Sequence, residues 1–265
     1  MISVIYNQSN SLKGHTMKTR TVFISLLVIS MLLVSCSVLS NAGVKVINPS
    51  NVLISENRDV NGFKAIEFST FGKINIIQGD KESLNISGPD NLVPEIITTV
   101  NNGTLIIKNK ENITVTSFNN ADILTFTIVA KELTSLAVSG AGDVQIETLS
   151  TPSMSLSLSG AGKVQQNQIT TDDLKIAISG LGGIDISGQS SRTTIEISGA
   201  GNVNAPELKT QTANVTISGL GGATLWVTDQ LTGEISGAGN VSYYGNPQAS
   251  TNSSGLGKFS SLGNK

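Results

Sequence analysis

The sequence has very little of the chemistry on which most catalytic and metal sites depend. It contains one histidine, His15, and one cysteine, Cys36, and both lie in the N-terminal segment. Because the rest of the chain has no histidine and no thiol, histidine general bases, Cys/His zinc sites and disulfide bonds are excluded there. The sequence also has no Gly-x-Ser-x-Gly elbow and no phosphate-binding loop that ends in Lys-Ser/Thr. These absences predict a protein with no catalytic residues, no metal and no cofactor.

Charged and aromatic residues are also scarce. Charged residues make up 14% of the chain and leave a formal net charge of −2, which argues against nucleic-acid binding. Aromatic residues make up 4%, yet Trp226, Tyr243, Tyr244 and Phe259 fall together near the end of the sequence. If exposed, they would stack on sugar rings; if buried, they would plug the end of the fold. Trp226, Tyr243 and Tyr244 are therefore the candidate ligand-binding residues.

What the sequence does have is a repeat. Ser-Gly-x-Gly recurs seven times, with starting serines 20, 20, 19, 20, 18 and 18 residues apart, at Ser139, Ser159, Ser179, Ser198, Ser218, Ser236 and Ser254. Each copy is flanked by apolar residues at every second position, as at Leu174, Ile176 and Ile178. Such alternation predicts strands with one buried face, and a fixed period near 20 residues predicts stacked copies of one unit. The sequence therefore predicts an all-β solenoid with about 20 residues per coil.

The Ser-Gly-x-Gly tetrapeptide is predicted to form the corner between the two strands of a coil. Glycine turns sharply at little steric cost, so we expect Gly160, Gly180, Gly199 and Gly219 to be equivalent, at least some with a positive φ. The serines have two interpretations, hydroxyls that bond the backbone at the corner or a row of nucleophiles. Because no base accompanies them, the structural interpretation is preferred.

The acidic residues bear on two functions that depend on carboxylates, calcium binding and glycoside hydrolysis. The position after Gly-x-Gly is a carboxylate only at Asp143, which argues against a calcium-binding ladder. Asp172-Asp173 is the only adjacent acidic pair in the repeats, and it is typical of a solvated turn. Asp143 with Glu147, or Asp185 with a neighbouring coil, are the remaining pairs that a glycoside hydrolase would need.

The N-terminal segment is typical of export. Lys18 and Arg20 precede an apolar run over residues 22–35 that is shorter than a transmembrane helix and ends in Leu33-Val34-Ser35-Cys36. This ending is similar to a lipobox, so Cys36 is the predicted lipidation site; an ordinary signal peptide or an uncleaved anchor is the alternative. Residues 17–36 are then a lipoprotein signal peptide, and residues 1–16 an upstream extension.

The rest of the chain divides by pattern. Residues 37–58 are polar and predict a tether, and residues 59–263 predict a single β-solenoid body. Within it, residues 132–263 carry the regular repeats, whereas residues 59–131 lack the motif but keep alternating strands around Gly72, Gly88 and the turn signal Asn101-Asn102-Gly103. This irregular part is either a set of further coils or a cap on the first regular coil.

An ordered set of segments resembles the head GIN domain family of autotransporter adhesins. The set is the lipobox, residues 61–66 (NGFKAI), 71–80 (FGKINIIQGD) and 102–107 (NGTLII), the Ser-Gly-Ala-Gly copies and residues 243–247 (YYGNP). The resemblance covers residues 59–263. It implies a right-handed parallel β-helix-like fold in exported, often lipid-anchored bacterial proteins, and it implies no catalytic residues.

These observations together predict a lipid-anchored binding or adhesin-like module of the cell envelope, without catalysis. Its expected partners are the membrane, through the N-terminal lipid, and a glycan or another envelope or host protein; the outer membrane is the expected location. Two alternatives remain open: a carbohydrate-active enzyme on the same scaffold, and a structural element that assembles end to end through unpaired strands.

Overall fold

Strands occupy most of the chain that the structure describes. The computed structural model describes residues 45–110, 113–116 and 124–265. Within these ranges there are nineteen strands, one short 3-10 helix, η1 (Val93–Glu95), and no α-helix. The strands are β1 (Lys45–Ile47), β2 (Leu53–Arg58), β3 (Ala65–Ser69), β4 (Phe71–Gln78), β5 (Ser83–Pro89), β6 (Ile96–Asn101), β7 (Thr104–Asn109), β8 (Ile113–Val115), β9 (Thr125–Ala130), β10 (Ser135–Val138), β11 (Ala141–Ser150), β12 (Ser153–Leu158), β13 (Lys163–Ile178), β14 (Gly183–Ile197), β15 (Asn202–Ile217), β16 (Gly222–Ile235), β17 (Val241–Tyr244), β18 (Gln248–Ser253) and β19 (Phe259–Ser261).

Each coil consists of one strand before a Ser-Gly-x-Gly corner and one strand after it. We call the strands before the corner face 1 and those after it face 2. On face 1, β12 pairs in parallel with the second half of β13, which places Leu156 beside Ile176. On face 2, the first half of β13 pairs in parallel with β14, which places Val164 beside Ile184. The result is an all-β solenoid of about six turns with about 20 residues per turn, which confirms the predicted fold class.

The alternating apolar residues form columns inside the solenoid. One face 2 column contains residues that are in register and at most 2% exposed: Ile74, Val144, Val164, Ile184 and Val203. Burying one such side chain stabilises the fold by about 1.5–3 kcal/mol. In the N-terminal coils the columns contain larger residues, and the rings of Phe68 and Phe126 meet edge to face with centroids 5.1 Å apart. The core therefore runs continuously along the solenoid.

The corner glycines are required by the close approach of the neighbouring coil. None of Gly160, Gly180, Gly199 and Gly219 has a positive φ, so the expectation of a left-handed backbone at these positions is wrong. A Cβ built on Gly180 would instead lie 2.1 Å from the carbonyl oxygen of Gly160, one coil earlier. Because real Cβ atoms essentially never come within 3.0 Å of another heavy atom, only glycine allows the corners to stack so closely.

Backbone groups make most of the hydrogen bonds at this corner. The N–H of Ser159 donates to the carbonyl oxygen of Val138 in the preceding coil at 2.9 Å, and Ser179 repeats the contact with Leu158 at 3.0 Å. Among the repeated serines, the hydroxyl of Ser139 donates to the carbonyl oxygen of Phe68 at 3.5 Å. Among the described residues, the predicted ladder of hydroxyl bonds is thus present only at Ser139, and the other corner serines mark a junction that backbone N–H groups make between coils.

The irregular N-terminal part contains both further coils and a cap. Strands β3 and β4 form a coil whose corner, Ser69-Thr70-Phe71-Gly72, lies in register with the corner that begins at Ser139. Strands β7 and β9 pair in parallel with β3 and β4 and add one more layer. Beyond them, β6 pairs antiparallel with β7, β5 with β9, and β2 with β5. The turn signal at Asn101-Asn102-Gly103 joins β6 to β7, with Asn102 and Gly103 both at positive φ.

The end of the predicted tether is strand. Residues Leu53–Arg58, which were predicted to be part of the tether, form β2 along β5, with Leu53 beside Pro89 and Arg58 beside Leu84. A guanidinium nitrogen of Arg58 donates to the carbonyl oxygen of Val93 at 3.0 Å. Apolar and polar residues do not alternate clearly in β2, because most of this strand is exposed and it contains Ser55, Glu56 and Asn57. Residues 46–265 form one compact unit.

A phenylalanine fills the interior of the last coil. Phe259 follows Val241 in a face 2 column and packs against the buried core. Its ring points at Gly233 of face 1, where a Cβ would lie 2.4 Å from the ring carbon Cζ. Gly233 occupies the column position that Val215 and Ile195 hold in earlier coils. A large residue and a missing side chain therefore complement each other at this end.

Candidate ligand-binding groove

A polar groove runs along the edge of the solenoid opposite the Ser-Gly-x-Gly corner. We call this the second edge; here each face 2 strand passes into face 1 of the next coil. The groove encloses about 580 Å³ and crosses four adjacent coils. Hydroxyl and amide side chains make up most of its wall, and its lining residues are Ser150, Thr151, Pro152, Thr170, Thr171, Asp172, Gln189, Ser190, Ser191, Lys209 and Gln211.

The outer wall of the groove is a single column of residues in register, which we call the edge column. Ser150 pairs with Thr170, Thr170 with Gln189, and Gln189 with Lys209. The same column continues beyond the groove to Trp226 and then to Tyr244. Neighbouring strands are about 4.8 Å apart, so six positions span roughly 24 Å. The solenoid therefore displays a regular row of hydroxyl, amide, ammonium and aromatic groups.

A second column, of buried hydroxyls, holds the floor of the groove in place. Thr151, Thr171, Ser190 and Thr210 are at most 6% exposed. Each hydroxyl donates to the carbonyl oxygen two residues later, at distances from 2.7 to 3.3 Å. Thr193 and Thr210 also share a hydrogen bond of 2.9 Å. These bonds satisfy carbonyl groups where the chain bends, so the edge column is carried on a fixed backbone.

One buried side chain in the core column beside the first half of β13 has a polar atom without a partner. Gln166 is 2% exposed, in a core column between Ile146 and Ile186. Its amide nitrogen donates to the carbonyl oxygens of Glu147 at 2.6 Å and Gln168 at 3.1 Å, whereas its side-chain oxygen has no protein partner. The amide lies where the register between β13 and β14 shifts.

The predicted aromatic residues fall into two groups. Trp226 and Tyr244 are neighbours on the outside of face 2, both half-buried. Tyr243 instead follows Leu225 in an inward column and packs against the core, as does Phe259. The ammonium groups of Lys209 and Lys265 lie 5.6 Å and 5.3 Å from the centroid of the Trp226 ring. The exposed ring faces are thus in contact with cations. Cys36, the predicted lipidation site, lies outside the described residues.

The carboxylates near the groove are largely engaged by other groups. Arg192 donates two hydrogen bonds to Asp173, at 2.6 and 2.7 Å, and this contact lowers the pKa of the Asp173 carboxyl. Asp185 forms an ion pair with Lys163, and the Asp143 carboxylate accepts a hydrogen bond from the Lys163 N–H at 3.1 Å. Among the described carboxylates, Asp172 alone lines the groove. In the part of the chain that the structure describes, no group of three or more His, Cys, Asp or Glu side chains is arranged to hold a metal.

The opposite edge carries an exposed apolar ridge. The residue between the two glycines of each corner is exposed in every repeat, and from the second corner onward every other corner places a leucine there. Leu181, Leu220 and Leu256 are 78%, 74% and 92% exposed. The corners with Ala200 and Ala238 carry an asparagine two positions after the alanine. The side chains of these residues, Asn202 and Asn240, accept hydrogen bonds from the backbone N–H groups of Gly222 and Lys258 in the next coil.

Comparison with known protein families identifies the chain. Residues 62–247 match the family described as "Putative auto-transporter adhesin, head GIN domain". The chain belongs to this family. The match covers the N-terminal coils, the cap strands β5 and β6 and all but the last of the Ser-Gly-x-Gly corners, so the groove lies entirely within the matched residues. The resemblance seen in the sequence is thereby confirmed.

Solved structures of other bacterial proteins share the fold. A "putative adhesin" from Bacteroides fragilis NCTC 9343 is 28% identical, with a TM-score of 0.78, over 82% of this chain and 100% of that one. A "putative lipid binding protein" from Parabacteroides distasonis ATCC 8503 is 22% identical, with a TM-score of 0.66, over 82% of this chain and 100% of that one. No curated protein matches the sequence. The described residues contain no helix long and apolar enough to cross a membrane.

Proposed function

We propose that this head GIN domain protein is a non-catalytic adhesin-like module of the cell envelope that binds an extended glycan along the second edge. The observation that carries the proposal is the edge column, in which Ser150, Thr170, Gln189 and Lys209 repeat at the spacing of the coils beside an open groove. A chain of sugar units presents hydroxyls at regular intervals. A regular row of hydroxyl, amide and ammonium groups suits such a ligand, because many weak hydrogen bonds add along its length.

The rigidity of this surface supports binding without a conformational change. The buried hydroxyls under the groove and the continuous parallel pairing fix the edge column before any ligand arrives. A preorganised site loses less conformational entropy on binding than a mobile one.

The state of the nearby carboxylates favours binding over hydrolysis. A glycoside hydrolase needs one carboxyl group that is protonated at neutral pH and a second one across the scissile bond. Asp173 is held in the opposite state, since its pKa is lowered by Arg192. Asp185 and Asp143 are engaged with Lys163 on another part of face 2.

Membership of an adhesin-like family supports a place at the cell surface or envelope. The lipobox-like sequence that ends at Cys36 supports attachment through an N-terminal lipid, in the outer membrane. Metabolic labelling with a fatty acid tests the anchor: we expect label in the wild type and none in Cys36→Ala. Label that persists in the variant, or a mature N-terminus mapped elsewhere, would show that the anchor assignment is wrong.

Glycan-array binding of the soluble chain that begins at Ser37 tests the ligand. We expect retention of a polysaccharide class and about fivefold weaker binding for Gln189→Ala and for Lys209→Ala, since each variant removes about one net hydrogen bond. Gln165→Ala is the matched control, because Gln165 is an exposed amide on β13 outside the groove. Equal binding by all three variants would place the ligand elsewhere.

The same polysaccharides test for catalysis. We expect neither new reducing ends nor unsaturated products after incubation with the protein. Turnover that disappears in Asp172→Ala, the one carboxylate variant inside the groove, would replace the binding proposal by a carbohydrate-active enzyme.

A further inference from the structure

The side chain of Lys265 lies in a site built for an ammonium group. Its Nζ is 5.3 Å from the ring centroid of Trp226 and 5.3 Å from that of Tyr244. It also forms an ion pair with the carboxylate of Glu207 and donates a hydrogen bond to the carbonyl oxygen of Pro206. The Lys265 side chain is only 25% exposed, whereas that of Glu207 is 67% exposed. A surface lysine is thus largely covered by two rings, a carboxylate and a carbonyl group.

The fold places these groups independently of the tail that fills them. Trp226 and Tyr244 are register partners on β16 and β17, so their rings lie side by side on face 2. Pro206 and Glu207 lie on β15, which is the strand paired with β16. The tail reaches the rings through two backbone hydrogen bonds, from Leu262 N–H to Tyr243 O at 2.7 Å and from Gly245 N–H to Gly263 O at 2.9 Å. These two contacts flank Tyr244 and hold the tail beside it.

We propose that Trp226, Tyr244, Glu207 and the carbonyl group of Pro206 form a binding site for the primary ammonium group of a lysine-type side chain, which Lys265 occupies when no partner is present. A partner that offers such a side chain displaces Lys265 and takes the same four contacts. The site adjoins the proposed glycan groove, since Lys209 of the groove also lies 5.6 Å from the Trp226 ring centroid, but its test does not depend on that function.

The chemistry of the four groups selects this ligand class. The faces of aromatic rings carry negative potential and attract cations, and a carboxylate and a carbonyl oxygen are acceptors only, so the ligand must supply N–H donors. An ammonium group on a flexible stem satisfies all four at once, with its methylene groups against the rings. An anion would meet the carboxylate of Glu207 and the negative ring faces and is therefore rejected.

Trp226 makes the test direct, since it is the only tryptophan in the chain. Its fluorescence is recorded while Nα-acetyl-lysine amide is added to the Lys265→Gln protein, whose circular dichroism should match the wild type. We expect a saturable change in emission in this variant. The wild type should need at least about threefold more probe for half-saturation, because the tethered Lys265 competes at a high effective concentration.

Two controls decide between recognition of the ammonium and a non-specific effect. Nα,Nε-diacetyl-lysine amide has the same stem without the charge and should leave the emission unchanged. Glu207→Gln in the Lys265→Gln background should weaken binding about tenfold, because it removes a charge-assisted hydrogen bond. A response that is linear, equal for the two probes, unaffected by Glu207→Gln, or no weaker in the wild type would overturn the proposal.

Discussion

At the scale of single residues, the glycines of one corner differ sharply in what they tolerate. A Cβ on Gly180 would lie 2.1 Å from a backbone oxygen of the preceding coil, whereas a Cβ on Gly183 would meet nothing closer than Asn202 O at 3.6 Å. We expect Gly180→Ala to lower the free energy of unfolding by about 2–3 kcal/mol, as overpacked positions do. Gly183→Ala should change it by less than about 0.5 kcal/mol.

The two substituted glycines are three residues apart in the sequence. Urea unfolding of the two variants measures the difference in their free energies of unfolding. The same loss of stability at both positions would show that the contact between coils does not decide which glycine can be replaced.

The pair formed by Asp173 and Arg192 gives a prediction for pH. Because the two hydrogen bonds from Arg192 lower the pKa of Asp173 in the folded state, the pair stabilises the protein above the unfolded-state pKa. This contribution is lost as the pH falls through the folded-state pKa. We expect carboxyl-detected NMR titration to show a lower midpoint for Asp173 in the wild type than in Arg192→Gln.

Lys175→Gln is the control for this titration. Lys175 is also a basic residue on face 1, but its ammonium group pairs with Glu196 at 3.0 Å. Its removal should leave the midpoint of Asp173 unchanged; a shift as large as that in Arg192→Gln would assign the effect to the general charge of the surface.

At the scale of strands and coils, Gly233 and Phe259 form a complementary pair across the last coil. Phe259→Ala should lower the free energy of unfolding by about 2 kcal/mol, less than for a fully buried ring because Phe259 is partly exposed. Gly233→Val should cost about 1–3 kcal/mol, since its side chain would overlap the ring.

The double variant Gly233→Val/Phe259→Ala should be more stable than the sum of the single effects predicts, because the new valine fills the space that the ring leaves. A coupling of at least about 0.5 kcal/mol is expected from residues in contact. Additive effects in denaturant unfolding would mean that the two positions do not share one space.

The elements also show what the sequence can and cannot predict. The coils were predictable because each corner repeats the same glycines. These glycines are required by a close contact with the preceding coil, and that contact recurs in every coil. The corner at residues 69–72 lacks the full motif, although Gly72 marked it as a possible corner of an irregular coil. Thr70 stands where later corners have the first glycine: a Cβ on Gly140 would lie 1.8 Å from Thr70 O, whereas the Thr70 hydroxyl bonds Asn109 at 2.5 Å.

The edge column was not predictable from the sequence, since each coil of about 20 residues contributes only one ordinary surface residue to it. Ser150, Thr170, Gln189 and Lys209 share no residue type, and only the register of the strands brings them together. A period of about 20 in Thr151, Thr171, Ser190 and Thr210 was available in the sequence as a sign of the second edge. The outward direction of Trp226 and Tyr244, and the inward direction of Tyr243, follow from alternation in β16 and β17.

At the scale of the whole molecule, the question is whether the solenoid stacks end to end. Inside the last coil, Ala249, Thr251 and Ser253 follow Leu231, Gly233 and Ile235 in register, so the apolar columns of face 1 end in small and polar residues. All six residues of β18 are exposed, and Phe259 covers part of the core beneath them. An end that is finished in polar groups gives little hydrophobic driving force for stacking, although its strand edge is open.

We therefore expect the sedimentation coefficient of the wild type to be independent of concentration. Thr251→Val/Ser253→Ile continues the apolar columns to the surface and should make sedimentation increase with concentration. Ser250→Val/Asn252→Ile adds similar apolar area on the outward side of the same strand and should have a smaller effect, because it does not extend the core. The contrary outcome is a wild type that associates, with association retained in Ser250→Val/Asn252→Ile and abolished in Thr251→Pro. That result would show that backbone pairing at β18 is sufficient for assembly, and it would favour the structural alternative.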